Sequence, residues 1–471
     1  MGLILMYQEY ADFALKVLKK EKVDYGEVRL EETEGDGLVL KNGTPEVSGF
    51  DNSFGMGIRF LIKNSMGFVS INDFENKKIS QSILEAVRRV KRGYKMSASV
   101  KLSDEKINKK NYKVHQKIKL KDVDPGKKIK FLYDIDSGIK QAVGRYMALS
   151  SEITKKYIIT TEGTKIISEI PRNHFSYFLT VKSNGKSAQK YWQACNAGGY
   201  EVVNKWKLPE LMIKEYKSMD LNLRKAQRPP KGKIDLVVGP EVTGIMVHES
   251  VGHPFEADRI FGREAAQAGE SFVNQKMIGE QIGSDKVTVV DDPTIETSAG
   301  YYLYDDEGVK ARRRFLIKDG KINEFLHNRE TAVEMGLNSN GAARSESFDK
   351  EAIVRMANTF LLPGKFSEHE LIKDIKLGVY MRDFTEWNID DKRYQMKYVG
   401  SDCYLIKNGK ISHPVLKPII EITTPSLWKS VDAVGKNLDY HTGTCGKGEP
   451  MQGVPAWLGG PSMRIRNVRL G

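Results

Sequence analysis

The sequence predicts an α+β protein of two domains, and three observations carry that prediction. Short segments of alternating apolar and polar residues recur along the chain. Amphipathic stretches long enough for helices fall between them in irregular order, and Pro229-Pro230 interrupts the pattern near mid-chain. A regular strand–helix alternation would instead indicate a doubly wound parallel sheet. At 471 residues the chain can bury a large core and has the length of two or three domains.

Phe13, Ala14, Val17 and Leu18 give residues 7–22 the apolar stripe of an amphipathic helix. Alternation predicts strands over 27–31, 37–41 and 56–62, separated by turns that contain Gly or Asn. Helices are predicted over 80–91 and 126–143, a β-rich stretch over 147–203, and another helix over 209–225. Residues 227–233 read as a linker, because consecutive prolines cannot extend a helix and favour an extended chain. The domains are therefore placed at 1–228, α+β, and 229–471, mainly antiparallel β. A strand over 234–238 then leads through a tight turn into a helix. From Asp285 onward the pattern is short strands, with Asp319-Gly320 and Asn408-Gly409 as hairpin turns.

The helix after that strand carries His248-Glu249-x-x-x-His253. Two imidazoles on one helix can hold a zinc ion, and a carboxylate beside the first can take a proton from water, as in the shorter H-E-x-x-H motif. Five residues, however, turn an ideal α-helix by roughly 140° beyond one full turn, which points the rings apart. Gly252 and Pro254 flank His253 and disfavour continuation of the helix. Either a π-bulge lies between the histidines or His253 sits at or beyond the helix end.

A catalytic zinc site generally has three protein ligands. Glu256, Asp258, the three cysteines and several remote histidines are candidates for the third. Cys445 stands out, because Gly443-Thr-Cys-Gly-Lys447 gives it flanking glycines and a nearby lysine that favours the thiolate. Cys195 and Cys403 have the apolar surroundings of small buried side chains.

Several segments together resemble the TldD/PmbA metalloprotease family, in its TldD-like branch. They are Leu236-Val-Val-Gly-Pro240, His248 to Asp258, Val290-Asp-Asp-Pro293, Tyr304-Asp-Asp-Glu-Gly308, Leu326-His-Asn-Arg-Glu-Thr-Ala332, Asn340-Gly-Ala-Ala-Arg344, Arg355-Met-Ala-Asn-Thr359 and Gly443 to Lys447. The match spans nearly all of the C-terminal half and is looser before it. It implies zinc held by His248, His253 and Cys445, with Glu249 as general base. It also implies short or unfolded peptide substrates, handled in a cavity enclosed by a homodimer or by a heterodimer with a PmbA-like subunit. Glu449-Pro450 departs from the Gly-Gln common in relatives. Asp305, Asp306 and Glu307 are expected to close a turn with Gly308 or to orient a ligand. Arg344 and Arg355 are expected to pair with acids or a substrate carboxylate. Tyr302 and His441 are candidate oxyanion donors.

Composition limits the alternatives. Hydrophobic residues make up 40% and charged residues 29% of the chain, the balance of a globular protein, and no apolar run approaches a membrane span. The opening Met1-Gly-Leu-Ile-Leu-Met6 lacks the length and basic flank of a secretory signal, so a cytoplasmic protein is expected. Three scattered cysteines do not form a disulfide framework. The net charge of +13 invites nucleic-acid binding, but over half of the excess lies in residues 101–130, with 11 lysines against 4 acids. That segment has almost none of the aromatics and arginines of a nucleic-acid surface and reads as a solvated lysine face. The rival reading is a non-catalytic regulatory or macromolecule-binding subunit, which a closed four-ligand metal site would favour.

Overall fold

The structure is a computed structural model that describes residues 6–93, 99–263, 270–448 and 451–471. Most of the opening apolar run and the Glu449-Pro450 departure lie outside them. Seven strands before the proline pair form one sheet: β1 (Tyr25–Lys41), β2 (Thr44–Ile62), β3 (Ser65–Ile71), β4 (Lys109–Lys113), β5 (Gly144–Thr160), β6 (Lys165–Ser183) and β7 (Lys186–Ala197). Their order is β3-β2-β1-β5-β6, with β4 and β7 both on the outer edge of β6. Segments 27–31 and 37–41, expected as separate strands, are one 17-residue strand. Gly35 and Gly37 sit inside its ladders to β2 and β5, and the turn falls later, at Asn42-Gly43, where both residues have positive φ.

Residues of like parity on β1 point to one face. Val28 and Leu30 pack under the helices Gln8–Lys20 and Asn76–Gly93, while Leu38 and Leu40 pack under Pro125–Ser137 and Leu208–Lys225. The opposite face buries charge instead. Arg59 bridges Glu27 and Glu307 at 2.9 and 2.6 Å, and Lys156 reaches Asp306 at 2.8 Å. Arg29 donates to the Ser347 and Lys350 carbonyls. This charged face is where the N-terminal sheet meets the rest of the chain. Of the 101–130 lysines, Lys128 departs from a solvated face: it is buried and paired with Asp36 at 2.6 Å.

After the linker, Gln227 is pinned to the strand Lys410–Pro414 by its N–H to Pro414 O. The strand β8 (Gly232–Val238) is central in a nine-stranded sheet, between Leu377–Met381 and Met463–Leu470. A six-stranded sheet ends in the hairpin Gln452–Gly460 and Asp439–Lys447. Most of the pairing is antiparallel, and Asp319-Gly320 and Asn408-Gly409 turn hairpins with both residues of each pair at positive φ.

The helix Pro240–Val247 follows β8 and lies between the two sheets. It packs on the strand Gln452–Gly460 at backbone distance because residue 244 is glycine: a Cβ there would stand 3.1 Å from the Leu458 carbonyl. That strand pairs with Asp439–Lys447, register Cys445 to Val454. The close approach thus brings the end of the helix beside the cysteine.

Candidate active site

Beyond Val247 the helix widens. His248–Gly252 form a π turn in which the His253 N–H bonds the His248 carbonyl, five residues back, and a 3₁₀ turn, His253–Phe255, follows. One turn of five residues restores the alignment that an α-helix would lose. Both repairs expected from the spacing therefore occur together. Ser250 supplies a local cause. Its hydroxyl, held by Trp428 Nε1 at 2.9 Å, donates to the Met246 carbonyl at 2.5 Å and competes there with the α-helical N–H.

The two rings face one another at 80°, with centroids 4.8 Å apart. His253 Nε2 lies 3.6 Å from Cys445 Sγ. The ligating atoms of His248, His253 and Cys445 all fall within 4.8 Å of one another, and all three residues are buried. Burial alone would push the Cys445 thiol up, but the charges of His253 and then of Arg355 and His248 outweigh that and hold it well below the usual thiol range. Burial would likewise depress His253, yet Cys445 and Glu256 raise it to about 9. The His248 Nδ1 is buried with no hydrogen-bond partner among the described residues. A thiolate and two imidazoles clustered with one orphaned nitrogen fit a borderline-soft divalent ion.

Glu256, weighed above as a candidate ligand, instead orients His253. Its Oε2 sits 3.0 Å from His253 Nδ1, so the ring turns Nε2 towards the cysteine. Arg259 Nε and Lys447 Nζ, each at 3.2 Å, hold the same oxygen. Burial would push this carboxyl up; Lys447 first and His253 next hold it well below the ordinary range. Asp258 takes the other side of Lys447 at 2.6 Å and is not among the three converging donors. The spacing of Glu256 three residues after His253 is the sequence signal for this role.

Glu249 lines the same cleft, and Arg393 Nη1 donates to its Oε2 at 2.7 Å. Arg393 stands at φ 62° in the turn before the strand Gln395–Gly400, its carbonyl held by Thr424. No sequence signal points to it, because it lies far from Glu249 in the chain and in none of the segments that carry the family resemblance. The cleft has a volume of about 590 Å³ and takes its walls from this helix, from Asp439–Lys447, from β7 and from Phe384–Ile389. His441 is on its wall. Tyr302 is not: its hydroxyl donates to the Gly341 carbonyl in the core. Asp305 caps the backbone N–H groups of Glu307, Val309 and Ala343, while Asp306 and Glu307 face the N-terminal sheet, so that trio is architectural. Arg344 and Arg355 donate to main-chain carbonyls, including that of Cys445.

Residues 231–471 match the PmbA/TldA metallopeptidase C-terminal domain, and residues 26–93 match domain 1 of the same family. A metalloprotease of Methanocaldococcus jannaschii is 33% identical, over 94% of this chain and 96% of its own. This chain belongs to the PmbA/TldD metallopeptidase family. Another member, a metalloprotease TldD homologue of Haemophilus influenzae, is 28% identical over 97% of this chain and 94% of its own. A zinc metalloprotease TldD homologue of Saccharolobus solfataricus is 25% identical over 68% and 69%. The PmbA/TldD fold recurs in solved structures of low identity. TldE of Thermococcus kodakarensis superposes with a TM-score of 0.75 at 16% identity, covering 98% of this chain and 99% of its own. A Thermotoga maritima protein described as a modulator of DNA gyrase gives 0.78 at 19%, covering 99% and 100%.

Proposed function

We propose that this chain is a zinc-dependent peptidase of the TldD-like branch, acting on short or unfolded peptides with Glu249 as general base. The metallopeptidase class follows from family membership; the metal, the residue roles and the substrate are the content of the proposal. One observation carries it: two histidines of a π turn and a cysteine from a distant strand converge at the wall of a cleft that also holds a glutamate. Three donors are the number that catalytic zinc sites use, which favours this reading over a structural metal in a regulatory subunit.

His248, His253 and Cys445 would hold the ion. The chemistry it supplies is Lewis acidity, which makes water a nucleophile at neutral pH and polarises an amide carbonyl. Glu249 takes the proton of the attacking water and returns it to the leaving amine. Arg393 fixes the carboxylate by its Oε2, limiting the rotation that would misalign the transfer. Glu256 holds the tautomer and direction of His253. Three sheet-edge strands border the cleft, because among the described residues β7, Asp439–Lys447 and Phe384–Ile389 each pair with a strand along one side only. An extended peptide can add to such an edge through its main chain, which gives affinity with low sequence selectivity.

Phe178, Tyr191 and Trp387, each about half exposed, stand around the cleft. They suit either unfolded peptide or a second subunit, and we place a homodimer or a PmbA-like partner there. The division at 228/229 belongs to the same proposal, with the N-terminal part supplying one wall and the C-terminal part the chemistry. The test combines elemental analysis with cleavage of an unstructured peptide pool. About one zinc per chain, lost in Cys445→Ala, and cleavage abolished by Glu249→Gln with metal retained, are the expected results. Metal retained without Cys445 would move the third ligand elsewhere, and cleavage by Glu249→Gln would remove the general base.

A further inference from the structure

One end of the cleft collects charge that the proposed hydrolysis does not use. Glu241 lies on the helix face that carries His248, seven residues earlier. Two α-helical turns place it roughly 10 Å along the axis and within about 20° of the same direction. His441 stands on the same face of its strand as Cys445, four residues before it, or roughly 14 Å. The pair of ligand-bearing elements therefore carries a second pair of polar groups, Glu241 and His441, displaced together along the cleft. His441 Nδ1 is 3.9 Å from Glu241 Oε2.

Around them lie Glu215, Asp383 and Lys190. Lys190 Nζ reaches Glu215 Oε2 at 2.7 Å and Glu241 Oε2 at 4.0 Å and contacts Asp383 directly. One ammonium faces three carboxylates, so the cluster is short of positive charge. Burial, and then the charge of Asp383, push the Glu241 carboxyl up to about 8, and burial depresses His441, which therefore adds no cation. Two unpartnered groups face the same cluster. Tyr177, on β6 beside Lys190, is 0% exposed, and its hydroxyl has no hydrogen-bond partner among the described residues. Both ring nitrogens of His441 also lack one. Carboxylate, phenol and neutral imidazole all offer acceptors, and an ammonium or guanidinium offers only donors.

Resting on the peptidase reading, we propose that this end of the cleft is a cation-recognising subsite, in which Glu241 and His441, on the cleft wall, receive a protonated amine or guanidinium of the bound peptide, with Asp383 and Tyr177 behind them. The spacing fits an extended substrate. At about 3.4 Å per residue, roughly 10 Å spans three residues. A Lys or Arg side chain from a nearer residue covers the same gap, and so does the α-ammonium of a chain that begins three residues from the scissile bond. In the first case the subsite confers side-chain preference; in the second it measures distance from the amino terminus.

The test reads binding, so that it does not depend on turnover. Zinc-loaded Glu249→Gln protein is titrated calorimetrically with unstructured peptides of Gly, Ser, Ala and Asn. These carry Lys or its neutral isostere norleucine at each position in turn, with free or acetylated amino termini. The expected result is that one Lys position, or the free terminus, binds about 10-fold or more tighter than its neutral counterpart, as charge-assisted hydrogen bonds give. That ratio should fall towards one when Glu241→Gln or Asp383→Asn is added. A preference for Lys that survives acetylation assigns the side chain; a preference lost on acetylation alone assigns the α-ammonium. Equal affinities at every position and for both termini overturn the subsite, and that comparison requires no substitution within the subsite itself. Cleavage of the same peptides by the unsubstituted protein tests the peptidase reading separately.

Discussion

Glu256→Gln separates orientation of a ligand from ligation itself. The carboxylate is fully buried, and its Oε2 meets His253 Nδ1 at 3.0 Å and Arg259 Nε and Lys447 Nζ at 3.2 Å. The glutamine keeps the shape but loses the charge that stabilises three positive or proton-donating neighbours. Two effects follow. Removing a partner that orients a ligand histidine costs about 10–100-fold in metal affinity. Removing one member of a buried ionic cluster costs about 3–5 kcal/mol. The lower figure applies here, because Lys447 retains Asp258 at 2.6 and 2.8 Å and the Val354 carbonyl at 2.8 Å.

Zinc affinity is read by competition with a chromophoric chelator, and stability by urea unfolding of the metal-free protein. Asp258→Asn is the control: it also weakens the hold on Lys447 but does not touch His253, so it should lose stability while keeping zinc affinity within about twofold. The pH dependence has a defined sign. The Glu256 carboxyl lies well below its ordinary value of 4.5 in the folded state. Its stabilisation is therefore complete above that value and is lost as pH falls through the depressed one, so the gap between wild type and variant should close in acid. Unchanged zinc affinity in Glu256→Gln, or an equal loss in Asp258→Asn, would refute the assigned role.

Arg393→Ala should leave zinc content unchanged and lower kcat about 10-fold or more, the worth of a charge-assisted hydrogen bond of about 1.5–3 kcal/mol; undiminished kcat would show that Glu249 needs no holder. Gly252→Ala would bring a Cβ to within 1.9 Å of Met356 Sδ, with an expected cost of about 1–3 kcal/mol in urea unfolding. Adding Met356→Ala should recover part of that loss, and strictly additive losses would contradict the contact. In metal-stripped protein, the thiolate absorbance of Cys445 should persist well below the usual thiol pKa of about 8.5 and vanish in Cys445→Ser. Titration near 8.5 would mean that the charges of His253, Arg355 and His248 do not offset the burial of the thiol.

The parts of this molecule that are legible in its sequence are those fixed by local chemistry. Asp319-Gly320 and Asn408-Gly409 favour positive φ and so announce their hairpins. The five-residue spacing of His248 and His253 cannot be met by a regular α-helix, so the spacing itself calls for a π turn or for a helix end at His253, and the structure has both. What was illegible depends on neighbours remote in the chain. Gly35 and Gly37 look like a turn until β2 and β5 pair with them on either side. Tyr302 lies next to matched segments, yet its hydroxyl is taken by Gly341 in the core. Asp306 and Glu307 read equally as chemistry or as architecture until Lys156 and Arg59 of the N-terminal sheet are placed against them. Arg393 has no local signature at all, because only the turn after Phe384–Ile389 aims it at Glu249.

The three candidate metal ligands and the walls of the proposed peptide cleft are coupled through one hairpin. Cys445 lies on Asp439–Lys447, and the hairpin that this strand forms with Gln452–Gly460 meets β7 by side-chain contacts rather than a ladder. The Cys195 N–H donates to Thr442 Oγ1 at 2.8 Å, and Trp457 Nε1 donates to the Cys195 carbonyl at 2.9 Å. These contacts fix the two strands to each other and occupy the outer edge of β7 at Cys195, while among the described residues no strand pairs along that edge. On its other side the hairpin is held to the helix by the contact at Gly244. A shift of Gln452–Gly460 would therefore move Cys445 away from the histidines and β7 away from the cleft at once. Any substitution that widens the helix–strand contact should lower zinc affinity and peptide affinity in parallel, whereas one that acts only at β7 should lower the second alone.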